Sequence, residues 1–299
     1  MELNKEKILQ AGKIASQIRK YSSSIIKKGT PLKEIAESIE GKIIELGAKP
    51  AFPVNLSINE IAAHYTPGYD DISIAFGLLK VDIGVHVDGW IADTAFSIDL
   101  ENSKENQQLI NAAENALKNA IDLIKQANSK TELNDIGSII QKTIESNKYI
   151  PIINLSGHSI ERYDLHAGMT IPNINDNIKQ AIEEGVRAIE PFSTLSTGSG
   201  KVNDGKYSGI YVLINGKNIR SPIARELLEY ISKEYETLPF CSRWLVNKFG
   251  TKALFGLKQL EENGNLYQFK QLIESSRSKV AQAEHTLIIE KKDTIITTE

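Results

Sequence analysis

The feature that most constrains the fold is an alternating run of residues on either side of Asp88 and Gly89. Between Leu79 and Asp88, apolar residues occupy every second position, which is the period of a half-buried β-strand. Asp88-Gly89 is typical of a two-residue hairpin turn, and a second strand continues to Ile98. The segment therefore predicts a long antiparallel hairpin with one face against a core.

The register of this hairpin decides which side chains share a face. A two-residue turn at Asp88-Gly89 places Asp93 opposite Gly84 and Asp82 opposite Ala95. Asp82 and Asp93 are then diagonal neighbours with Cβ atoms ~7 Å apart. We interpret the two small residues as room for divalent cations between the carboxylates. The alternatives are a solvated polar face, or a three-residue turn that places the two aspartates on opposite faces.

Helical patterns flank the hairpin and then return. Helices are predicted over residues 4–28, from Thr30-Pro31 to about 46, over 104–127 and over 132–146. Two helices followed by strands thus occur twice, which indicates a duplicated α+β unit. Residues 221–262 also predict helices, with helix-like sequence to about Arg277, before strands at 284–289 and 294–298. A helical block between β regions is typical of an insertion into a domain that closes with its last strands.

Composition excludes several classes of protein. The 299 residues are 41% apolar and 24% charged, so the chain can bury a core and is not disordered. A net charge of −3 argues against a dedicated nucleic-acid binder. The longest run without a charged residue is 12 residues, below the ~20 that a membrane helix needs. The single cysteine, Cys241, excludes an intrachain disulfide and a zinc-finger cluster. We expect a soluble, intracellular protein.

Other charged residues occupy positions typical of ligands. Glu284 lies in a strand-like apolar run, where an unpaired charge is costly unless it binds a metal. Glu190 ends another apolar run and either caps a turn or binds a ligand. His64, His158 and His166 match no zinc finger, and each taken singly is more simply a hydrogen-bonded structural histidine. The chain has no phosphate-binding loop, dinucleotide fingerprint or nucleophile elbow.

Five segments between residues 52 and 289 carry these candidates. They are FPVNLSINEIAAHYTP, VDIGVHVDGWIADTA, NLSGHSIERYDLHAG, AIEPFST and AQAEHTLII. Together they resemble the methionine aminopeptidases over essentially the whole chain. The helical block with LPFCSRWL is similar to the insertion of the type II subfamily, and the short start resembles its archaeal form.

The resemblance implies a fold and a metal content. The fold is the α+β, pseudo-two-fold pita-bread (creatinase/aminopeptidase) fold, with one catalytic domain over 1–299 and an inserted helical subdomain over 205–272. Two divalent ions are implied, and Co²⁺, Mn²⁺, Fe²⁺ and Zn²⁺ all suit such oxygen-rich ligands. The five implied metal ligands are Asp82, Asp93, His158, Glu190 and Glu284. In this assignment Asp93 and Glu284 bridge the two ions.

The resemblance also implies catalytic and substrate-binding roles. Glu190 accepts a proton from the attacking water, and His64 and His166 contact the substrate amine and peptide group. A methionine pocket should be apolar. Position matching assigns three residues to it: Phe52, Leu165 and Phe269.

The implied function is removal of the initiator methionine from peptides and nascent proteins whose second residue is small. Association with ribosomes is a hypothesis that follows from such a substrate. We expect a cytoplasmic monomer with no membrane and no specific nucleic-acid partner. Two alternatives stay open. One is an X-Pro aminopeptidase or prolidase on the same fold. The other is a non-catalytic ribosome- or RNA-binding relative, which the complete ligand set and the charge of −3 disfavour.

Overall fold

The central hairpin has the predicted register in a computed structural model that describes residues 3–299. Val87 pairs with Trp90 around the two-residue turn, so that Gly84 lies opposite Asp93 and Asp82 opposite Ala95. Both turn residues, Asp88 and Gly89, have positive φ, as this type of tight hairpin turn requires. The prediction that the two aspartates share one face is therefore confirmed.

Two helices followed by strands occur twice. The first half contains α1 (Lys5–Ile25), α2 (Leu32–Glu45), β1 (Lys49–Pro50), β2 (Asn55–Ile58), β3 (Ile61–Ala63), β4 (Leu78–Val87) and β5 (Trp90–Asp99). The second half contains α3 (Lys104–Ala127), a short 3₁₀ turn, α4 (Leu133–Ser146), β6 (Ile150–Pro151), β7 (Ser156–Ile160), β8 (Thr170–Pro172), β9 (Gly185–Ile189) and β10 (Phe192–Thr194). The repeated order agrees with the predicted duplication.

A third block of helices and strands lies between β10 and the closing strands. It contains β11 (Val202–Leu213), α5 (Pro222–Glu234), β12 (Phe240–Cys241), α6 (Ser242–Phe249), α7 (Lys252–Glu262) and β13 (Leu266–Glu274). The closing strands are β14 (Val280–Gln282), β15 (His285–Ile289) and β16 (Thr294–Ile296). The third block has its own apolar core, and its sheet reaches the first half where β13 pairs with β3.

Each helix pair covers the apolar face of a sheet. Val81, Ile83 and Val85 point from β4 into a core formed with α1 and α2, while α3 and α4 cover the strands of the second half. Each fully buried side chain of this kind contributes ~1.5–3 kcal/mol. The two halves meet along β5 and β15, where the Asp93 amide donates to Thr286 Oγ1 over 2.8 Å. In residues 3–299, no helix is sufficiently long and apolar to cross a membrane.

Most predicted helices are confirmed, and two details are wrong. Pro31 has extended geometry and precedes α2, which begins at Leu32 rather than at the proline. The sequence before Arg277 forms strand β13 instead of continuing the helix. That strand pairs with β11 along its length and with β3 near its end. Its conformation is therefore set by pairing with residues that lie far away in the sequence.

Candidate active site

One cavity of about 280 Å³ brings together every residue that the sequence analysis assigned to a site. Strands of both halves and of the third block form its walls. The ten residues are Phe52, His64, Asp82, Asp93, His158, Leu165, His166, Glu190, Phe269 and Glu284. The chain segments that supply them are separated by up to about 230 residues.

The charged end of this cavity is a compact cluster of carboxylates and one imidazole. Asp93, His158 and Glu284 each offer a ligand atom within 4.8 Å of the other two, and all three side chains are buried. His158 Nε2 lies 3.7 Å from Asp93 Oδ2 and 3.5 Å from Glu190 Oε1. Asp82 joins the cluster from β4, one diagonal step from Asp93. All five predicted metal ligands therefore lie at one end of the cavity.

Regular strand pairing fixes these side chains. The Glu284 amide donates to Ala95 O over 2.9 Å, which holds Glu284 beside the hairpin strand that carries Asp93. His158 pairs with Ala188 across β7 and β9, two residues before Glu190. The Nδ1 atom of His158 contacts the Ser159 carbonyl at 3.3 Å, which leaves Nε2 facing the carboxylates. A second hydrogen-bond partner of this kind commonly orients a metal-binding histidine.

The cluster fits divalent cations because several of its oxygens have no other partner. Asp82 Oδ1, Asp93 Oδ1 and Glu284 Oε1 are buried and accept no hydrogen bond from residues 3–299. Unpaired buried carboxylate oxygens are costly, and cations remove that cost. Carboxylates with one imidazole form a donor set that suits Mn²⁺, Fe²⁺, Co²⁺ or Zn²⁺ better than a soft, thiolate-bound metal.

The pKa values at this end of the cavity are strongly shifted. Burial raises the pKa of Asp82 to about 7. Burial, followed by the charges of neighbouring carboxylates, raises the pKa values of Asp93, Glu190 and Glu284 well above the ordinary range. Burial, followed by the nearby His166, lowers the pKa of His158 to about 3. The imidazole is thus neutral and free to bind a metal, while cations would displace protons from the carboxylates.

Two further histidines line the cavity next to this cluster. The His166 ring lies 4.5 Å from the His158 ring, and the His64 ring lies 5.5 Å from the Phe269 ring. Burial is the main cause that lowers the pKa of both, to about 4 for His64. Both rings are therefore uncharged near pH 7, so that each can donate one hydrogen bond and accept another.

Other parts of the cavity lining are apolar, and Phe52, Leu165 and Phe269 are among the residues that form them. Phe52 also changes the interpretation of Gly84, because a Cβ built on Gly84 would lie 2.3 Å from Phe52 Cε1. The small residue leaves room for this aromatic ring, so the expectation that Gly84 makes space for cations is wrong.

Several residues in or next to the cavity were not predicted from the sequence. Gln282 lies two residues before Glu284, and its Nε2 is 3.5 Å from Glu190 Oε2, so spacing along the chain could have indicated it. Asn55 lies opposite Asp82 on β2, which only the sheet pairing reveals. Ile210 and Leu272 come from β11 and β13, whose pairing is irregular and gives no simple alternation.

Comparison with known proteins agrees with this geometry. Residues 6–289 match metallopeptidase family M24. A methionine aminopeptidase of Pyrococcus abyssi is 47% identical, with 98% of this chain and 99% of the relative covered. A methionine aminopeptidase of Methanocaldococcus jannaschii is 45% identical, with 98% of each chain covered.

Solved structures share the fold at low sequence identity. A thermophilic Arx1 matches with a TM-score of 0.83 at 17% identity, covering 98% of this chain and 89% of that one. A methionine aminopeptidase of Thermotoga maritima matches with a TM-score of 0.69 at 20% identity, covering 98% and 96%. The architecture is therefore the predicted pita-bread fold.

Fold, carboxylate cluster and sequence together define a hydrolase that uses metal ions, and the chain belongs to metallopeptidase family M24. Its full-length relatives place it among the methionine aminopeptidases of that family, with the archaeal proteins. The predicted family and enzyme class are confirmed.

Proposed function

We propose that the protein removes the N-terminal methionine from peptides and nascent proteins whose second residue is small. One observation carries the proposal: a single cavity joins a carboxylate–histidine cluster to an apolar wall. The apolar wall suits the methionine side chain, and the cluster in the same cavity suits hydrolysis of the peptide bond that follows it. The names of the relatives support the same reaction.

In this proposal the cluster holds two divalent ions, either Co²⁺, Mn²⁺, Fe²⁺ or Zn²⁺. Asp93 and Glu284 would be shared between the two ions, Asp82 would complete one site, and His158 with Glu190 would complete the other. When bound, such ions polarise a carbonyl and activate water at neutral pH. The unpaired oxygens of Asp82, Asp93 and Glu284 support this assignment.

The remaining residues handle the substrate and its protons. Glu190 accepts the proton of the attacking water on a carboxylate oxygen. His64 and His166, both uncharged, hydrogen-bond the substrate amine and the peptide group, and stabilise the charge that develops on the carbonyl oxygen. Phe52, Leu165 and Phe269 bind the methionine side chain and exclude water from it.

An aminopeptidase assay on chelator-stripped protein tests the proposal. Met-Ala-Ser, Met-Leu-Ser and Ala-Pro-Ser are offered while Co²⁺, Mn²⁺, Fe²⁺ or Zn²⁺ is added back in turn. We expect metal-dependent release of methionine from Met-Ala-Ser only. Cleavage of Ala-Pro-Ser alone would instead support a proline-specific peptidase, and inactivity of folded, metal-binding protein would support a non-catalytic relative.

The proposal extends to cellular context and domain organisation. We place the protein in the cytoplasm as a monomer that meets nascent chains at ribosomes. Co-sedimentation with ribosomes at physiological salt tests the association with ribosomes. Size-exclusion chromatography tests the monomeric state. We also propose that residues 205–272 are an insertion into one catalytic domain spanning 1–299. The separate apolar core of α5, α6 and α7 supports that division.

A further inference from the structure

His64 has a backbone conformation that surrounding contacts must hold. Its φ is +62°, in the left-handed region that residues with a Cβ rarely adopt. Such a conformation costs free energy and persists only where the surrounding structure fixes it. We call residues 64–67 the His64 segment, and its contacts, with the 3.3 Å contact of His64 Nδ1 with the Lys270 carbonyl, determine where the His64 ring lies.

The His64 segment is bound to the strand region that precedes it. The amide of Leu56 donates to the carbonyl of Tyr65 over 2.7 Å. The hydroxyl of Thr66 donates to the carbonyl of Val54 over 3.0 Å. Since Asn55 lies between Val54 and Leu56 and lines the cavity, these two hydrogen bonds join two parts of the cavity wall.

Both parts of the cavity wall, residues 54–56 and the His64 segment, are hydrogen-bonded to one buried ion pair. Arg243 on α6 donates two hydrogen bonds to Glu40 on α2, over 2.7 and 2.8 Å. Arg243 Nε donates a third to the carbonyl of Pro67, the last residue of the His64 segment, over 3.0 Å. Glu40 Oε1 accepts from the Val54 amide at 3.2 Å, and Glu40 Oε2 accepts from Trp244 Nε1 at 2.8 Å.

The ion pair contributes more to the orientation of the groups that it binds than to the stability of the fold. Arg243 is 1% exposed and Glu40 is 5% exposed, and the cost of burying such charges largely offsets their attraction. Burial alone would lower the pKa of Arg243, but its hydrogen bonds to Glu40 raise it above the ordinary value. A charged, bidentate pair fixes geometry more tightly than apolar packing does.

We propose that Glu40 and Arg243 are positioning residues for the reaction. Through Val54 and Pro67 they hold the His64 segment, and with it the left-handed conformation of His64 that keeps its ring in the cavity wall. The inference rests on the proposed role of His64. It also gives the third block a part in the reaction, because α6 supplies Arg243 from outside the cavity.

Replacing both charges together tests the inference without leaving either one unpaired. Glu40→Met with Arg243→Met should lower kcat on Met-Ala-Ser by ~10–100-fold, since a small misplacement of a reacting group is costly. KM should change less than about threefold, and metal affinity should stay the same. In a His64→Ala background, the same two replacements should change kcat less than about twofold, because they act through that ring.

Lys49→Ala is the matched control. Lys49 forms a 2.7 Å ion pair with Glu234 that also joins the first half to the third block. The hydrogen bonds and ion pair of Lys49 involve no residue of the His64 segment. We expect kcat within about twofold of the unchanged protein, as is usual for an exposed ion pair. A large loss here would mean that any break between the two parts impairs the enzyme, and would overturn the specific role of Glu40 and Arg243.

Hydrogen exchange gives a readout that does not depend on activity. In metal-free protein, the amides of residues 64–66 should exchange at least ~10-fold faster in the double variant than in the wild-type protein. In Lys49→Ala their exchange rates should equal those of the wild-type protein. Unchanged exchange, unchanged kcat, or an equal loss of kcat in the His64→Ala background would each overturn the inference. If the double variant does not fold, Thr66→Val removes one link of the same network and is measured in the same way. If the unchanged protein releases no methionine, the proposed function fails, and exchange alone then decides on the ion pair.

Discussion

The charged end of the cavity and the apolar wall formed by Ile210, Phe269 and Leu272 on β11 and β13 differ in how their strands are paired. At the charged end, β4 and β5 pair without interruption from Leu78 to Val87, and β9 pairs evenly with β15. In the apolar wall, the register of β11 against β13 shifts on both sides of Tyr207. Regular pairing fixes each side chain by its position along the strand, whereas a bulge redirects it. The side-chain positions at the charged end are therefore closely fixed, and those of the apolar wall on β11 and β13 can vary more.

The largest effect is expected at the charged end, where the closely fixed side chains include the proposed ligands. Asp93→Asn keeps the shape of the side chain and removes the charge assigned to both ions. We expect activity to fall at least ~10³-fold, with loss of metal detected by calorimetry, because several kcal/mol of transition-state stabilisation disappear. Asp88→Asn is the control, since it makes the same change on the exposed hairpin turn, where asparagine also tolerates positive φ. If Asp93→Asn still bound metal fully, Asp93 would not be a metal ligand.

His166→Ala separates substrate contact from metal binding within the same end of the cavity. We expect kcat to fall ~10²–10³-fold, as for loss of one hydrogen-bond donor to a developing oxyanion. Metal content should remain at the level of the unchanged protein. If the variant loses its metals, His166 belongs with the ligands and its substrate role is wrong.

The pH dependence of metal-free protein probes the crowding of carboxylates. The pKa of Asp82 is about 7 in the folded protein, against ~3.9 in an unfolded chain, so the folded state binds more protons between these values. Its contribution to stability is present at low pH and lost as pH rises through 7. Asp82→Asn lacks this loss, so it should gain ~2–4 kcal/mol relative to unchanged protein between pH 4 and 7.

The histidines have lowered pKa values, which change stability with pH in the opposite direction. Because both proteins contain the same histidines, this contribution cancels in the difference between them. Urea unfolding with a chelator present measures the difference in free energy of unfolding at each pH. Adding metal should reverse the ranking, because only the unchanged protein keeps the full ligand set. A difference that does not vary with pH would contradict the assignment of a raised pKa to Asp82.

The smallest effect is expected in the apolar wall formed by β11 and β13. Phe269→Leu should raise KM for Met-Ala-Ser by ~3–30-fold with little change in kcat, because a smaller apolar contact costs ~1–2 kcal/mol of binding. Ile210→Val is the milder companion from the facing strand. Metal content should not change in either variant. A loss of kcat as large as that of His166→Ala would show that side-chain positions are equally closely fixed in the apolar wall and at the charged end.

The sequence predicts the charged end better for a physical reason. The two-residue turn at Asp88-Gly89 fixes the register of the hairpin, and the register fixes the shared face of Asp82 and Asp93. The identities of Glu190, Glu284 and the histidines came from a family resemblance, since nothing local brings such distant residues together. The repeated order of helices and strands indicated a duplicated α+β unit, and the pita-bread fold came from the same family resemblance.

The sequence could not predict features decided by distant pairing. Residues 266–274 have a helical pattern and yet form β13, because β11 and β3 satisfy their backbone groups. Gly84 is small because of the Phe52 ring, which no local pattern reveals. Glu40 and Arg243 are 203 residues apart, and each alone looks like an ordinary surface charge.

The meeting of β5 and β15 also sets the order of events when the chain acquires its metals. The bond between the Asp93 amide and Thr286 spans 193 residues, and it lies beside the pair formed by Asp93 and Glu284. Contacts so distant along the chain form late in folding, after local helices and hairpins. A growing chain therefore has no complete set of ligands until its closing strands have been synthesised. With the proposed ligands, we expect metal loading to follow folding, unlike that of a zinc finger, in which the ion drives the folding.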